Sequence, residues 1–584
     1  MTPHEEYSSR LNRRLAGEAG LAKRHVLIGN IRFACAAVAG LIVWRGEWIW
    51  LLAPAAVFFA LIVYHEAVLR RRTRARRASR FYELGLARIE DRWAGMGETG
   101  ERFLNPEHPY AGDLDLFGKG SLFELISIAR TRAGEFTLAK WLLEPAPADV
   151  VRERQQAVDE LRPRIDLRED LAVLGSDVRV GVHPKRLVHW SAGPAVLRNK
   201  WIPFAAIVLA ALAITTASIW MFYGQRVYFL VVFLAEILFL YAIRHSLDQS
   251  IHSAEHAADD LKLLAEIMQR LEREKFVSAR LVKMRAELET NGHPPSARIR
   301  ELARWMDMLE SRRNPVMAVL NPLVMWVPQV AIQVENWRER YGGMVKPWLA
   351  AVGEMEALSS FAGYAYEHPA DPFPEFLPEK PPRIESLAMA HPLIPASKAV
   401  SNDFSLDGVL VISGSNMSGK STMLRAVGTN VVLALAGAPV RAASMRLSPV
   451  CIGASIRVND SLQAGNSRFY AEIKRVRQIV DLTTRNMPVL FLLDELLHGT
   501  NSHDRAIGGE GVVKALLEVG AIGLVTTHDL TLARIGDSLG PRAGNVHFED
   551  HLEAGKMMFD YKMRPGVVTK SNALELMRSV GLKV

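Results

Sequence analysis

Length, composition and charge exclude several classes of protein at once. The chain has 584 residues, of which 49% are hydrophobic and 23% charged, so it is neither disordered nor too short to bury several cores. Its two cysteines, Cys35 and Cys451, lie far apart and predict no disulfide framework. The mean hydropathy of +0.06 is high for so charged a chain, which indicates that the apolar residues are concentrated in a few segments.

These apolar segments form two pairs. His25–Trp44 and Trp48–Tyr64 are separated only by three residues, and each is about long enough to cross a bilayer as a helix. The second pair is Trp201–Phe222 and Val227–Ile243. We therefore predict two transmembrane hairpins. A cleavable signal peptide is not expected, because the first apolar segment begins late and a second follows at once.

Basic residues flank both hairpins on the same side. They are Arg10, Arg13, Arg14, Lys23, Arg24, Arg70, Arg71, Arg72, Arg74, Arg76, Arg77 and Arg80 at the first, and Arg198, Lys200 and Arg244 at the second. Because basic residues favour the cytoplasmic side, we expect a multi-pass protein of the inner, or plasma, membrane with a cytoplasmic amino terminus and carboxyl-terminal domain. A nucleic-acid patch is the alternative reading of the arginines, but their place beside an apolar segment favours anionic lipid.

Two charged residues lie within the apolar segments, Arg32 and Glu236. Ionisable groups in a membrane are costly, so one hypothesis pairs them, and in the other Arg32 reaches the interface while Glu236 is protonated. Asn314–Val334 is also uncharged, but its three prolines favour a buried helical stretch over a fifth span.

A strand, a glycine-rich loop and a helix are predicted in succession from Val409. The apolar run Val409–Ile412 precedes the loop Gly414–Thr422, and Met423–Ala436 is typical of a helix. The loop has the G-x-x-x-x-G-K-S pattern, in which backbone amides surround phosphates, Lys420 neutralises phosphate oxygens and Ser421 binds magnesium. The pattern predicts an ATP site.

Two later apolar strands end in polar residues. Val489–Leu493 is followed by Asp494, which suits a magnesium ligand, and by Glu495, which suits the group that orients water for hydrolysis. Ile522–Thr527 is followed by His528, which we predict to contact the γ-phosphate. The alternative is that His528 caps the next helix.

Several runs resemble the MutS family of mismatch-repair ATPases. The phosphate loop resembles that family's in carrying Asn416 and Met417, Leu492–Asn501 resembles its acidic strand and loop, and Thr526–His528 resembles its histidine switch. Other similar runs are His391–Leu393, Asn402–Asp403, Ser467–Glu472, Gly566–Asn572 and Arg578–Leu582, with Asp115–Leu125 and Thr131–Pro145 resembling the start of the family's helical core.

The resemblance implies an ATPase that uses ATP and Mg²⁺ and forms a homodimer through the ATPase domain. The implied catalytic residues are Lys420, Glu495 and His528, and the implied metal ligands are Ser421 and Asp494. The implied ATP-binding residues are Gly414, Ser415, Asn416, Met417, Ser418, Gly419, Lys420, Ser421 and Thr422, together with Tyr561 and, across the dimer, Ser467 and Arg468.

The sequence also departs from the family. Arg468 stands where the family usually has a hydroxyl residue, and either a trans-acting finger or a surface ion pair would suit an arginine there. Ala399 or Val400 stands where the family often has an aromatic residue against adenine. No amino-terminal mismatch-reading domain is visible, and the second hairpin occupies roughly the place of the family's DNA clamp.

The predicted fold is multidomain, α plus α/β, with two transmembrane hairpins, a helical lever region like the MutS core, and a P-loop ATPase domain of the ABC type. The predicted order is a cytoplasmic segment 1–24, hairpin 25–65, helical region 66–200, hairpin 201–243, helical region 244–380 and ATPase domain 381–584.

Three functions fit this organisation. The first is a membrane-anchored ATP switch that acts on mismatched or branched DNA, as the resemblance implies. The second is a membrane motor whose hydrolysis moves the hairpins without DNA, although the Leu-Ser-Gly-Gly-Gln signature of transporters is absent. The third is a nucleotide-gated scaffold without turnover, against which Lys420, Asp494 and Glu495 argue. The net charge of +8 does not separate them, since the basic runs beside the hairpins supply much of it.

Overall fold

The structure is a computed structural model. It describes the chain except for residues 182, 195–196, 198–200, 290–291, 311–323, 416–417, 458–467, 498–499, 529–538, 554–555 and 569–584, and it leaves out the side chains of 177, 179–181, 468, 502, 551–553 and 556–557. The described part is mainly helical, with two β-sheets in the carboxyl-terminal region.

The helices are numbered here in chain order. They are α1 Pro3–Arg45, α2 Leu52–Ile89, α3 Leu122–Ile126, α4 Arg132–Leu143, α5 Ala148–Leu161, α6 Ile165–Gly181, α7 Pro184–Ala192, α8 Trp201–Tyr223, α9 Arg226–Glu272, α10 Ala279–Leu288, α11 Pro295–Glu310, α12 Trp326–Tyr341, α13 Val345–Glu367, α14 Lys420–Ala436, α15 Arg468–Leu482 and α16 Ser502–Glu518.

The strands are β1 Glu375–Phe376, β2 Ile384–Met389, β3 Asn402–Leu406, β4 Val409–Ser413, β5 Ser444–Leu447, β6 Cys451–Ser455, β7 Val489–Leu493, β8 Ile522–Thr527, β9 Ala543–Glu553 and β10 Lys556–Pro565. They form a four-stranded sheet in the order β1-β5-β2-β3 and a six-stranded sheet in the order β10-β9-β4-β8-β7-β6.

Contacts divide the chain into two compact units. Unit 1 comprises 1–128, 138–165 and 357–584, and unit 2 comprises 129–137 and 166–356. Unit 1 holds both sheets and the first apolar pair of helices, whereas unit 2 holds the second pair. The domain limits proposed from the sequence stay a prediction.

Four helices of the described chain are long and apolar enough to cross a membrane. They are α1, the helical run from Trp48 through α2, α8 and α9, and between 0% and 22% of the most apolar window of each is buried. The predicted spans lie inside these helices, which extend further: α9 alone has 47 residues. Length and composition alone identify these helices as candidate membrane spans, and their location in a membrane is a proposal.

The first helix pair is shaped by local signals. Helix α1 begins at a capping box, in which the Thr2 hydroxyl accepts from the Glu5 backbone N–H and the Glu5 carboxylate accepts from the Thr2 N–H. It ends at Gly46, whose φ of 75° is a left-handed conformation that stops a helix. A turn at Trp48–Leu51 then reverses the chain into α2.

Unit 2 is a helical assembly organised along α9. The buried face of this helix includes Ile251, Leu261 and Leu264, and Ser250 donates a hydrogen bond to Glu335 on α12. Helix α12 contains the described end of the uncharged stretch Asn314–Val334, and its Val330 and Val334 are buried. The rest of that stretch lies mostly outside the described residues.

A buried carboxylate organises the start of α4 within unit 2. Glu356 on α13 accepts hydrogen bonds from the backbone N–H groups of Arg130 and Thr131 and from the Thr131 hydroxyl. Burial raises the pKa of Glu356 to about 7.

Within unit 1 a buried ion pair joins α2 to the end of α13. The Arg88 guanidinium donates two hydrogen bonds of 2.6 Å to the Glu367 carboxylate, and both side chains are almost wholly buried. Tyr7 of α1 donates to the same carboxylate at 3.4 Å and packs on Tyr82 and Tyr366. The first helix pair is therefore fixed to the helix that precedes the ATPase region.

Replacing Glu367 with alanine should lower the free energy of unfolding by about 3 to 5 kcal/mol, because Arg88 would keep a buried charge without its partner. Denaturant unfolding of the full chain in detergent measures this loss. Glu83→Ala, which breaks the exposed pair of Arg80 and Glu83 on the same helix, is the control and should cost less than about 1 kcal/mol. Equal losses in the two variants would contradict the prediction.

Candidate functional site

The candidate site lies where three parallel strands end together. Strand β8 pairs in parallel with β4 and β7, with Ser413 opposite Thr527 and Leu493 opposite Val525. Because the carboxyl ends of parallel strands meet at one edge of a sheet, the residues that follow each strand are brought together there. These residues are Gly414, Asp494 and His528.

The loop after β4 needs glycine at two positions. Gly414 has φ 150° and Gly419 has φ 105°, and a Cβ added at Gly414 would lie 2.9 Å from the Phe548 carbonyl oxygen. The Ser415 and Ser418 hydroxyls are buried and have no hydrogen-bond partner among the described residues. Asn416 and Met417 lie outside the described residues, so the loop is characterised at its two ends.

Lys420 is the first residue of α14 and is buried in this loop. Its ammonium group donates hydrogen bonds of 2.8 Å to the carbonyl oxygens of Gly414 and Ser415. Burial lowers the pKa of Lys420, while Glu495 and Asp494 act in the opposite direction. A partly desolvated cation that two acids influence electrostatically suits the binding of a more strongly charged anion.

Asp494 and Glu495 are held by a threonine that our sequence analysis did not assign to the site. The Thr526 hydroxyl donates to Asp494 and accepts from the Glu495 backbone N–H at 3.0 Å. The His528 Nδ1 lies 3.2 Å from the Glu495 carboxylate. The structure therefore brings both acids and the histidine together, and the repeated threonine before His528 was the available signal.

Glu495 has an unusual backbone conformation. Its φ is 49° and that of Leu497 is 58°, in the left-handed region that non-glycine residues rarely adopt. The buried Glu472 carboxylate accepts a hydrogen bond from the Leu497 N–H, which stabilises the turn that contains Glu495 and Leu497. Glu472 belongs to the run Ser467–Glu472, whose sequence indicated a role across a dimer rather than this contact.

A cavity of about 690 Å³ opens beside these residues. It is lined by Met389, Ala390, His391, Ile394, Lys398, Ala399, Val400, Asn402, Gly419, Lys420, Ser421, Thr422, Met423, Ala426, Asp494, Glu495, Phe548 and Tyr561. One cavity thus holds six of the predicted residues together with apolar side chains, and these six are Lys420, Ser421, Thr422, Asp494, Glu495 and Tyr561. Such a mixture is typical of a small-molecule site.

Tyr561 is positioned by Asn402. The Asn402 side chain donates to the Tyr561 carbonyl oxygen at 3.0 Å and accepts from the Met563 N–H at 2.8 Å, across an irregularity in the pairing of β9 and β10. Tyr561 has φ 54°, and its ring would lie 3.0 Å from a Cβ added at Gly419. The ring therefore stands over the loop, beside Ala399 and Val400 in the cavity wall.

The residues predicted to act across a dimer are less fully described. Ser467 lies outside the described residues, and Arg468 is the first residue of α15 with its side chain outside the description. Their roles stay predictions.

A second acidic pair supports the site from the segment before α3. The buried Asp113 accepts from the backbone N–H groups of Ile456 at 2.8 Å and Arg457 at 2.7 Å, just after β6. Asp115 forms ion pairs with Arg457 and with Arg425 of α14. Asp115 lies in a run that resembles the MutS family, but this role was predicted for neither residue, because the contacts join residues more than 300 positions apart.

Within the part of the chain that the structure describes, no group of three or more His, Cys, Asp or Glu side chains is arranged as a metal site. Asp494 and the Ser421 hydroxyl in the same cavity offer hard oxygen ligands of the kind that Mg²⁺ prefers, with substrate and water completing its coordination.

Known proteins resemble part of this chain. Residues 410–583 match the family model of MutS domain V. The carboxyl-terminal domain belongs to the MutS family. The chain is similar to the endonuclease MutS2 of Thermus thermophilus, with 34% identity over 211 residues, which are 34% of this chain and 26% of that protein. The resemblance to the MutS family is thereby confirmed for the carboxyl-terminal region.

Two further relatives match a similar share of the chain. The DNA mismatch repair protein MutS of Thermus aquaticus is 35% identical over 204 residues, which are 34% of this chain and 24% of that protein. The DNA mismatch repair protein MutS 2 of Halobacterium salinarum is 33% identical over 243 residues, which are 40% and 27% of the two chains. The chain thus spans about a quarter of the length of these MutS relatives.

His391 in the wall of the MutS-type site should make stability depend on pH. Burial, with the nearby Arg425, lowers its pKa from 6.5 to about 4, so between those values the unfolded chain takes up a proton that the folded chain does not. Stability should therefore rise from pH 4 to 6.5, by up to about 3 kcal/mol from this group. Denaturant unfolding across that range measures the rise.

His391→Asn is the matched variant, since asparagine does not titrate and can still accept from the Leu393 N–H, as His391 does at 3.1 Å. It should reduce the pH dependence without removing it, because burial also lowers the pKa of His108 to about 4. If the free energy of unfolding of the variant depended on pH as steeply as that of the wild type, His391 would be ruled out as a source of the pH dependence.

Proposed function

We propose that this protein is a membrane-anchored, MutS-like ATPase that binds and hydrolyses ATP as a dimeric switch. The observation that supports this most is the meeting of Lys420, Asp494 and Glu495 in one cavity behind a glycine loop. A cation, a hard metal ligand and a carboxylate that can orient water are the groups that phosphoryl transfer requires.

The loop fits a polyphosphate. Its left-handed glycines leave the backbone open where a side chain would intrude, and the Ser415 and Ser418 hydroxyls, which have no partner among the described residues, would donate to phosphate. Lys420 now donates to two carbonyl oxygens, and phosphate oxygens would replace these as stronger acceptors. Ala399, Val400 and Tyr561 supply apolar and aromatic surface for the adenine.

Glu495 is the group that we assign to water activation. The Glu495 backbone N–H is bonded to Thr526, and His528 contacts the Glu495 carboxylate. These two contacts together orient the carboxylate. Mg²⁺, held by Ser421 and Asp494, would neutralise charge on the transferred phosphoryl group. Ser467 and Arg468 of a second copy would complete the site, and release of that contact after hydrolysis would reset the switch.

The dimensions of the first helix pair support membrane anchoring. Arg24 and Arg45 bound an apolar stretch of α1 that rises about 31 Å, close to the hydrocarbon thickness of a bilayer. Trp44, Trp48 and Trp50 are exposed at the far end, where interfacial tryptophans are expected, and the arginine run of α2 lies at the near end. We place both ends of each hairpin in the cytoplasm.

DNA is the partner that the relatives' names suggest, and mismatched or branched DNA is the substrate we propose. A membrane motor without DNA is the second candidate, and one observation favours it. Helix α9 runs without interruption from the apolar stretch into the buried core of unit 2, so movement of that core would reach the apolar stretch directly.

Glu495→Gln should lower the rate of ATP hydrolysis by about 100-fold or more while ATP still binds, because the amide cannot orient and deprotonate water. Steady-state phosphate release and nucleotide binding by the detergent-purified chain measure the two effects. The control is Glu518→Gln, at the exposed end of α16, which should hydrolyse ATP at the wild-type rate. Full turnover by the Glu495 variant would refute the assignment.

The same assay, repeated with homoduplex, mismatched and branched DNA, separates the two candidate functions. A change of rate with mismatched or branched DNA supports the DNA switch. A rate that depends on Glu495 but ignores all three DNAs removes DNA as the partner and leaves the membrane motor.

Membrane topology has its own test. In a variant without Cys35 and Cys451, single cysteines at Glu47 and Gly224, in the turns of the two hairpins, should react with an impermeant maleimide added outside intact cells. A cysteine at the exposed Glu101 should react only after lysis, because we place that residue in the cytoplasm. Equal labelling of all three positions in intact cells would contradict this topology.

A further inference from the structure

Polar side chains meet inside the apolar part of the first helix pair. His25 and Arg32 lie two helical turns apart on α1, and Phe58 and His65 lie two turns apart on α2, so each pair occupies one face of its helix. The His25 and His65 rings stack with centroids 4.8 Å apart, and the Arg32 guanidinium lies 5.0 Å from the centre of the Phe58 ring.

Hydrogen bonds order these groups into a chain. Arg32 donates to Nδ1 of His65 at 3.2 Å, so that nitrogen must be the acceptor and His65 carries its proton on Nε2. This Nε2 lies 2.7 Å from Nδ1 of His25, which therefore accepts and leaves the His25 proton on Nε2. The charge of Arg32 thus polarises two neutral imidazoles in series.

This hydrogen-bonded series carries the positive charge of Arg32, but no anion contacts it in the described structure. Arg32 forms no ion pair with any described residue, and its buried Nε has no hydrogen-bond partner there. The nearest acid in sequence on α2, Glu66, is instead bonded to Arg70 at 3.1 Å. An arginine among apolar side chains without a counter-charge is costly, which indicates that a ligand supplies the charge.

The residues around this cluster indicate the chemical class of the ligand. Phe33 and Val63 near the cluster are 79% and 60% exposed, as expected for surface that faces acyl chains. Lys23, Arg24, Arg71 and Arg72 lie towards the cytoplasmic end, and Arg32 lies about 10 Å further into the apolar stretch than His25. Basic groups thus occur both at the interface and within the apolar region of the helix pair.

We propose that Arg32, His65 and His25 form a binding site for the phosphate of an anionic phospholipid. The proposal rests on the membrane anchoring proposed above. The guanidinium nitrogens of Arg32 and the outer Nε2–H of His25 are the donors, and Val63 and Phe33 contact the acyl chains. The site would attach the first hairpin to lipid of one charge class instead of to any bilayer.

An acid of the protein itself is the competing occupant. Glu236 on α9 is fully buried in an apolar segment, and its two carboxylate oxygens have no partner among the described residues. Within unit 2 its buried face continues through Ile243 and Leu247, which favours a role in helix packing there. A Glu236→Gln variant tests whether Glu236 serves as the anion.

The test is the thermal unfolding of delipidated full-length protein in detergent, with phosphatidylglycerol, phosphatidylcholine or inorganic phosphate added. Phosphatidylglycerol should raise the Tm of the wild type by about 2 to 4 °C more than phosphatidylcholine does. Arg32→Leu should abolish that difference, and His65→Phe, which keeps the ring stack, should reduce it. Arg71→Leu, at an exposed position on α2, and Glu236→Gln should retain it.

Several results would overturn the proposal. Equal shifts with both lipids would remove the preference for anionic lipid, and an equal shift with inorganic phosphate would assign the site to free phosphate. Loss of the difference in Arg71→Leu as well would indicate diffuse charge instead of a site. A difference that is absent in the wild type but present in Glu236→Gln would identify the protein's own acid as the occupant. The labelling of the hairpin turns and ATP hydrolysis are measured separately, so failure of the anchor or the ATPase is recognised independently.

Discussion

The parallel pairing of β8 with β4 on one side and β7 on the other is the constraint on which the site depends. It aligns the ends of three strands, and a glycine at the second position of β8 makes the pairing possible, because a Cβ at Gly523 would lie 2.3 Å from the Phe491 carbonyl oxygen. A larger residue would separate β7 from β8. Asp494 and Glu495 would then lose Thr526, whose hydroxyl holds them both.

Sequence reasoning succeeded where a structure is specified by neighbouring residues. The strand, glycine loop and helix around Lys420 are local, and so is the apolar strand that ends at Asp494. The apolar helices were recognised for a similar reason, since length and continuous hydrophobicity are visible in one segment. The location of these helices in a membrane stays a proposal.

Contacts between distant segments could not be predicted in this way. Asn402 holds Tyr561 through its amide, and Asp113 binds the backbone after β6, yet nothing in either local sequence specifies such a partner. The two compact units illustrate the same limit. A stretch beginning at residue 129 joins the unit of 166–356 because Glu356 binds the backbone of Arg130 and Thr131, a contact across 225 positions that a linear reading of domains does not reveal.

The ion pair of Arg88 and Glu367 has a geometric consequence for the proposed membrane anchoring. Helix α2 is continuous from Arg70, at the edge of the apolar stretch, to Arg88, a rise of about 27 Å. Since Glu367 is bound at its far end, α2 would act, in the proposed arrangement, as a spacer of fixed length between a bilayer surface and the segment that leads into the candidate site. A large substrate would then have to reach that site from the side, within a gap whose height is set by one helix.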